Sequence, residues 1–311
     1  MNTPSNAVPG NPVDSQGIAP SAMSATRPLY WSVLRELWEN RSIYIAPLVA
    51  AGVVLFGFAI STIGLPQRRR ALLMLDPAQQ RAAIERPYDI AALMIVLTAF
   101  LVGVFYCLDA LHGERRDRSI QFWKSLPVSD LTTVLSKASI PLVVLPLFIC
   151  AIIVATHLIM LLLGSAVLLM SGMSAATLWP QLKFIPSPLA LIYALTAIAL
   201  WHAPIYGWLL LISGWARRAT FLWAVLPPLA ICAFERTAFH TSHFASLLQY
   251  RFCGWLSQAF LFQRQGSVPI GPLTELTPGN FLSTPGLWIG LAFAAAFLAA
   301  AVRLRRYREP I

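Results

Sequence analysis

Long apolar runs separated by short polar stretches set the rhythm of this chain. About 20 apolar residues cross a hydrocarbon core roughly 30 Å thick. By that measure the sequence predicts six membrane spans, at 43–63, 90–108, 140–163, 189–213, 221–234 and 287–302. The third run stays apolar to about Met170, longer than one crossing. One tilted span followed by an outer turn is favoured over a break near Gly164 and Ser165. The fifth run is short and holds Pro227 and Pro228, which predicts a kinked helix. Pro204 in the fourth run is a further bending position. After the fifth run, Phe239 to Phe262 is only half apolar, with His240, His243, Gln249, Arg251 and Gln258 embedded. It reads as one or two interfacial or re-entrant pieces, tolerated at membrane depth only under a cover of protein or water.

Ahead of the spans, residues 1–27 are rich in Pro, Ser, Asn and Gly and carry no apolar core, the pattern of a disordered tail. The tail lacks the basic start and apolar centre of a secretory signal, so the first span is expected to act as an uncleaved one. From Leu29 to Arg41 the period turns helical. Tyr30, Val33, Leu34, Leu37 and Trp38 share one face, and Arg35, Glu36, Glu39 and Asn40 take the other. Such a helix suits the membrane interface, lying in its plane. The fold class predicted is all-α: a polytopic membrane protein with six transmembrane helices in 28–311, an N-terminal interfacial helix and a broken or re-entrant segment between spans five and six.

Composition sharpens this. The chain of 311 residues is 57% hydrophobic and 12% charged, with a mean hydropathy of +0.66. Half the usual share of charge leaves too little polar surface to coat a soluble globule of this size. The net charge of +10 lies in short clusters between apolar runs. That pattern fits the excess of Lys and Arg in cytoplasmic loops rather than a nucleic-acid surface, so no nucleic-acid partner is expected. Six spans place both termini on one side, and the basic bias puts that side in the cytoplasm. Arg68, Arg69, Arg70, Arg81 and Arg86 in the first outer loop run against it.

Little chemistry is visible. Lys124, Lys137 and Lys183 are the only lysines, preceded by Trp123, Ser136 and Leu182, so no phosphate-cradling Gly-Lys-Ser/Thr end exists. Any ATP would be hydrolysed by another chain. His240, His243 and the distant Cys253 make a thin metal set, and no metal or cofactor is expected in this chain. His157 and His202 lie in spans without a carboxylate beside them, which favours hydrogen-bonded packing roles. Glu235 either lines a cavity or marks the outer interface. Cys107, Cys150 and Cys232 fall in apolar runs, where cysteine behaves as a small hydrophobe. No nucleophile–base or paired-carboxylate arrangement speaks for an enzyme.

One stretch stands apart, the polar island at 110–137. It holds Glu114, Arg115, Arg116, Asp117 and Arg118 in a row, then Ile120, Phe122, Trp123, Lys124 and Pro127. Glu114 and Arg118 form an i, i+4 pair with the acid first, the better order on a helix, and Asp117 and Gln121 repeat the spacing. Exposed aromatics beside Arg are the residue types of binding hot spots. Pro127 stops this helix, and Ser129 or Asp130 is placed to cap the next.

The run ERRDRSIQFWKSLPVSDLTTVLSK resembles the first cytoplasmic loop of permease subunits of type-2 ABC transporters. The interfacial helix, the six spans and the broken fifth-to-sixth connection match over about residues 29–308. The long Pro-rich tail and the Arg-rich outer loop depart from it. The resemblance implies an exporter in the bacterial inner membrane: a permease homodimer, or a heterodimer with a related permease, bound to two cytoplasmic ATPase subunits that hold ATP and Mg. It also implies that Glu114 to Lys124 form a coupling helix seated on the ATPase. There Arg115, Arg116, Arg118 and Lys124 would supply charge pairs, and Ile120, Phe122 and Trp123 buried anchors. Two other classes remain: an ATP-independent scaffold that recruits a cytoplasmic protein through the same loop, and an intramembrane enzyme acting on lipid.

Overall fold

The computed structural model describes residues 26–65, 67, 68, 76–117, 128–172, 188–259 and 278–307. The regular elements among them are all helical. In chain order they are α1 (Thr26–Glu39), α2 (Ser42–Thr62), α3 (Pro77–Ala110), α4 (His112–Arg116), α5 (Asp130–Ser139), a π-helical turn (Ile140–Val144), α6 (Leu145–Met170), α7 (Pro188–Trp215), α8 (Thr220–Phe239), α9 (His243–Ala259), α10 (Pro278–Ser283) and α11 (Pro285–Tyr307).

Six helical stretches are long and apolar enough to cross a membrane: 42–62, 83–116, 130–170, 189–215, 220–239 and 285–307. Their flanks are not those of a soluble bundle. Phe56, Leu97, Phe105, Leu162, Leu229, Phe234 and Phe293 are all exposed, an apolar girdle that water would not tolerate. The chain is an all-α polytopic membrane protein.

The expected spans coincide with helices, and the structure extends several of them. α3 begins at Pro77 rather than Ile90 and passes through Pro87 unbroken. The polar segment before the second span is therefore a continuation of that span. The third span continues backwards through the π turn into α5. At about 1.5 Å per residue, the stretch 130–170 is about 60 Å long, twice the hydrocarbon core, so the polar half in α5 stands outside it. Pro141 explains the π turn. Proline has no N–H and crowds the carbonyl four residues back, and the chain answers with a wider loop in which the Leu145 N–H donates to the Ile140 carbonyl, five residues back. There is no break at Gly164–Ser165. α6 runs through both and ends at Met170, where Gly172 takes the left-handed φ of +70° that closes helices. α8 reaches Phe239 with Pro227 and Pro228 inside it, so the fifth span is a full crossing.

α7 is the axis of the bundle. It packs along α11 most extensively, and also against α3, α6, α8 and α9. At Gly207 the two main helices approach so closely that a Cβ would sit 3.3 Å from the Ala294 carbonyl. α2 packs on α3 and α6, and α1 on α5. Tight turns join α7 to α8 and α8 to α9, with Ala219 and His240 in the left-handed region. The segment after span five is thus a helix, α9, turned back at His240 and laid against α7 and α10.

Candidate functional site: the ionic cluster at the root of the polar island

α4 is one helical turn docked on the end of α7. The Ser213 hydroxyl accepts from the Leu111 and His112 N–H groups at 3.0 and 2.9 Å, satisfying donors that a helix start leaves unpaired. Arg115 Nη1 donates to the Gly214 and Ala216 carbonyls at 2.9 and 3.3 Å, a cation placed at the negative end of α7. On the far side of the island, Ser129 caps α5, its hydroxyl accepting from the Thr132 N–H at 3.1 Å. That is one of the two caps predicted.

Between these anchors lies a cluster of buried charges drawn from four helices. Lys137 Nζ of α5 sits 2.8 Å from Glu36 Oε1 of α1 and 3.1 Å from Glu114 Oε1 of α4. Arg305, near the end of α11, pairs with Glu114 Oε2 through Nη1 and with Asp130 through Nε at 3.1 Å. Arg35 bonds Glu36 at 2.7 Å and approaches Glu114 at 3.4 Å. The Tyr106 hydroxyl of α3 donates to Glu36 Oε2 at 2.9 Å. Glu36, Lys137 and Arg305 are 1%, 2% and 6% exposed. Within it Lys137, Arg305 and Arg35 balance Glu36, Glu114 and Asp130, so this core is neutral, the condition under which buried charge is tolerable, while the exposed Glu39 reaches Arg35 at 3.6 Å from the rim.

Two expectations are corrected here. Glu114 and Arg115 do not present themselves to a partner: both are buried, their charges turned into the bundle. A single helical turn docked on α7 has an inward side, and these two residues occupy it. Arg116 and Asp117 occupy the outward side, exposed and bonded to one another at 3.0 Å. The second correction concerns α1. Glu36 belongs not to a water-facing back but to the face packed on the bundle, beside Val33 and Leu37, while Tyr30, Trp31 and Trp38 point outward. Arg118, Ile120, Phe122, Trp123, Lys124 and Pro127 lie outside the described residues, as does the tail to residue 25.

The other candidates resolve into packing and capping. His157 bonds the Tyr88 carbonyl at 3.1 Å and meets its ring edge-on, and His202 bonds the Ile198 carbonyl at 2.8 Å. Glu235 has a capping role. It accepts from the Thr241 hydroxyl and from the His243 and Phe244 N–H groups at 2.7–2.9 Å, capping α9 from the preceding helix. His240 and His243 are exposed, and among the described residues no group of three or more His, Cys, Asp or Glu is arranged to hold a metal ion.

Glu36 carries the pH response of the cluster. Burial by itself would raise its carboxyl, but Lys137 and then Arg35 outweigh it, and the net shift is downward from 4.5. A lowered folded value means that the unfolded chain binds the proton more readily. The stabilisation from Glu36 is therefore complete above the unfolded value and lost as pH falls through 4.5 toward the folded one. Glu39, raised chiefly by burial, acts in the opposite sense. The thermal midpoint in detergent should therefore fall between pH 5 and pH 3, and Glu36→Gln should lower the midpoint at pH 7 while flattening that fall. An unchanged slope in the variant would remove Glu36 from the account.

Comparison of the chain with protein families, with curated proteins and with solved structures finds no match.

Proposed function

We propose that this chain is the membrane-spanning permease subunit of an exporter of the type-2 ABC class, driven by ATP hydrolysis in a separate ATPase subunit. The observation that carries the proposal is the ionic cluster. It joins the root of the island at Glu114 to its far end at Asp130 and Lys137, and both to α1 and to the end of α11. A partner that pulls on residues 118–127 moves α4 and α5 together. Through Glu36 and Arg305 that motion reaches α1 and the sixth span, and through Ser213 and Arg115 the end of α7. A loop held this firmly at both roots transmits force rather than absorbing it, as an ATP-driven permease requires of a coupling loop.

In this reading the partner-facing residues are Arg116 and Asp117 with Arg118, Ile120, Phe122, Trp123 and Lys124. Glu114 and Arg115 hold the loop in place. The termini are cytoplasmic, a second permease completes the pathway, and ATP and Mg reside on the partner.

Gentle extraction of the tagged protein from its own membranes tests this. A P-loop ATPase should co-elute at equal stoichiometry. Changing Trp123 and Arg116 together to Ala should weaken that association by roughly 30-fold or more, the loss expected when a hot-spot contact of about 2 kcal/mol disappears. The variant should retain the wild-type unfolding midpoint, because Arg116 is exposed. Elution alone under several mild conditions, or with a partner that binds no nucleotide, would transfer the loop to the scaffold reading.

A further inference from the structure

The end of the bundle opposite the ionic cluster holds a cation, Arg251, with no acidic partner among the described residues. Arg251 of α9 reaches between α7 and α11. Its Nη1 donates to the Gly286 carbonyl at 3.1 Å, and its guanidinium lies 4.9 Å from the centre of the Trp201 ring. Nη2 rests against Gly290, where it occupies the space a Cβ would take. Tyr250 lies beside them, edge-on to Trp201 at 5.2 Å and with its hydroxyl against Gly286.

Two buried donors here find no acceptor among the described residues, Arg251 Nη2 and Trp201 Nε1. Trp201 is wholly buried. Among the described residues, the groups that face Arg251 are aromatic rings and glycine backbone, and the titratable side chains that interact with it are those of Tyr250 and His202, neither of them an acid. Glu235, the acid at the end of the preceding helix, is spent on the cap of α9. Burial lowers the proton affinity of the Arg251 guanidinium, the direction expected of a cation with no anion beside it. In a membrane such a residue is costly, and it marks a site where the missing charge is supplied.

Depth indicates what supplies it. Gly286 and Arg305 lie on one helix, α11, and at about 1.5 Å per residue they are about 28 Å apart. That separation is close to one hydrocarbon thickness. With the ionic cluster at one interface, Arg251 stands at the headgroup level of the other, where phosphodiesters lie.

We propose that Arg251 and Trp201 form a site for a phosphate-class anion at the bundle end opposite the ionic cluster, with the guanidinium and the indole N–H as its donors. The phosphate of an anionic lipid headgroup and a free phosphate share the required chemistry. The inference does not depend on the ATPase reading, because it uses residues of this chain at the opposite end.

The test uses the full-length protein in neutral detergent, with native mass spectrometry reading bound phosphatidylglycerol against phosphatidylcholine and inorganic phosphate added as competitor. Wild type should retain phosphatidylglycerol over phosphatidylcholine. Arg251→Gln should weaken that retention by about tenfold, the value of a hydrogen bond to a charged group, whereas Arg303→Gln, an exposed cation near the other end, should leave it unchanged. Trp201→Phe keeps an aromatic ring and removes the donor, so it should weaken retention even where Arg251→Gln folds poorly. Displacement by millimolar inorganic phosphate would identify a soluble anion at the same residues, and resistance to it a lipid. Equal retention of phosphatidylglycerol and equal phosphate binding in wild type, Arg251→Gln and Trp201→Phe would overturn the proposal.

Discussion

Lys137→Met is expected to destabilise the protein by about 3–5 kcal/mol, the range for removing one partner from a buried ion pair. Methionine matches the length of the stem and suits an apolar site, so lost packing does not account for the cost. What accounts for it is the charge left behind. Glu36 retains Arg35 and Tyr106, and Glu114 retains Arg35 and Arg305, but the neutral cluster becomes an anion buried among four helices. Removing one carboxylate as well restores neutrality. Lys137→Met with Glu36→Gln should therefore be more stable than Lys137→Met alone, a coupling that a double-mutant cycle measures directly. Chemical unfolding in detergent supplies the comparison. A single variant within about 0.5 kcal/mol of wild type, the size of an ordinary surface change, would mean that water reaches the cluster and screens it.

The same cluster shows where sequence reading reaches its end. The spans were legible because the bilayer imposes a length on apolar runs that no neighbouring residue needs to confirm. The cap at Ser129 was legible for a similar reason, since its determinants lie within a few residues. Helix ends were less so. Hydropathy reports where lipid begins, and α3 and α5 simply continue as helices beyond it.

Glu36 and Arg305 were not legible. In α1 the apolar period assigned Glu36 to water, and Arg305 stands in sequence among Arg303, Arg306 and Arg308 with nothing to set it apart. Their partners lie about a hundred residues away or more, at Lys137 and Glu114, and nothing local distinguishes a charge bound for a buried partner from one bound for solvent. Glu235 shows a weaker case. Thr241 and Ser242 ahead of α9 announce a helix start, but the cap is completed by an acid reaching back from the previous helix. The polar island was found by its composition, while its division into inward Glu114 and Arg115 and outward Arg116 and Asp117 required the docking of α4 on α7.

Trp201→Ala is expected to cost about 3–5 kcal/mol, the range for emptying a buried Trp or Phe site, whereas Trp38→Ala should fall within about 0.5 kcal/mol. The two residues are chemically identical and differ in what surrounds them. Trp201 is fully buried where α7, α9, α10 and α11 meet, with Tyr250 at 5.2 Å and Phe281 at 6.1 Å, and with Ala197 and Leu287 in the same cluster. Trp38 is 68% exposed on the outer side of α1. In a bilayer, transfer from water is not the quantity lost, because lipid tails are as apolar as a core. What Trp201 supplies is dispersion contact with atoms already fixed in place, and a void there has nothing on one side. At Trp38 the tail or headgroup region closes over the missing ring at once. Unfolding midpoints of the two variants in the same detergent check this. Similar losses for both would show that the helices close over the Trp201 site as readily as lipid covers the Trp38 one, and that α9 is held to α7 by its polar contacts rather than by the ring.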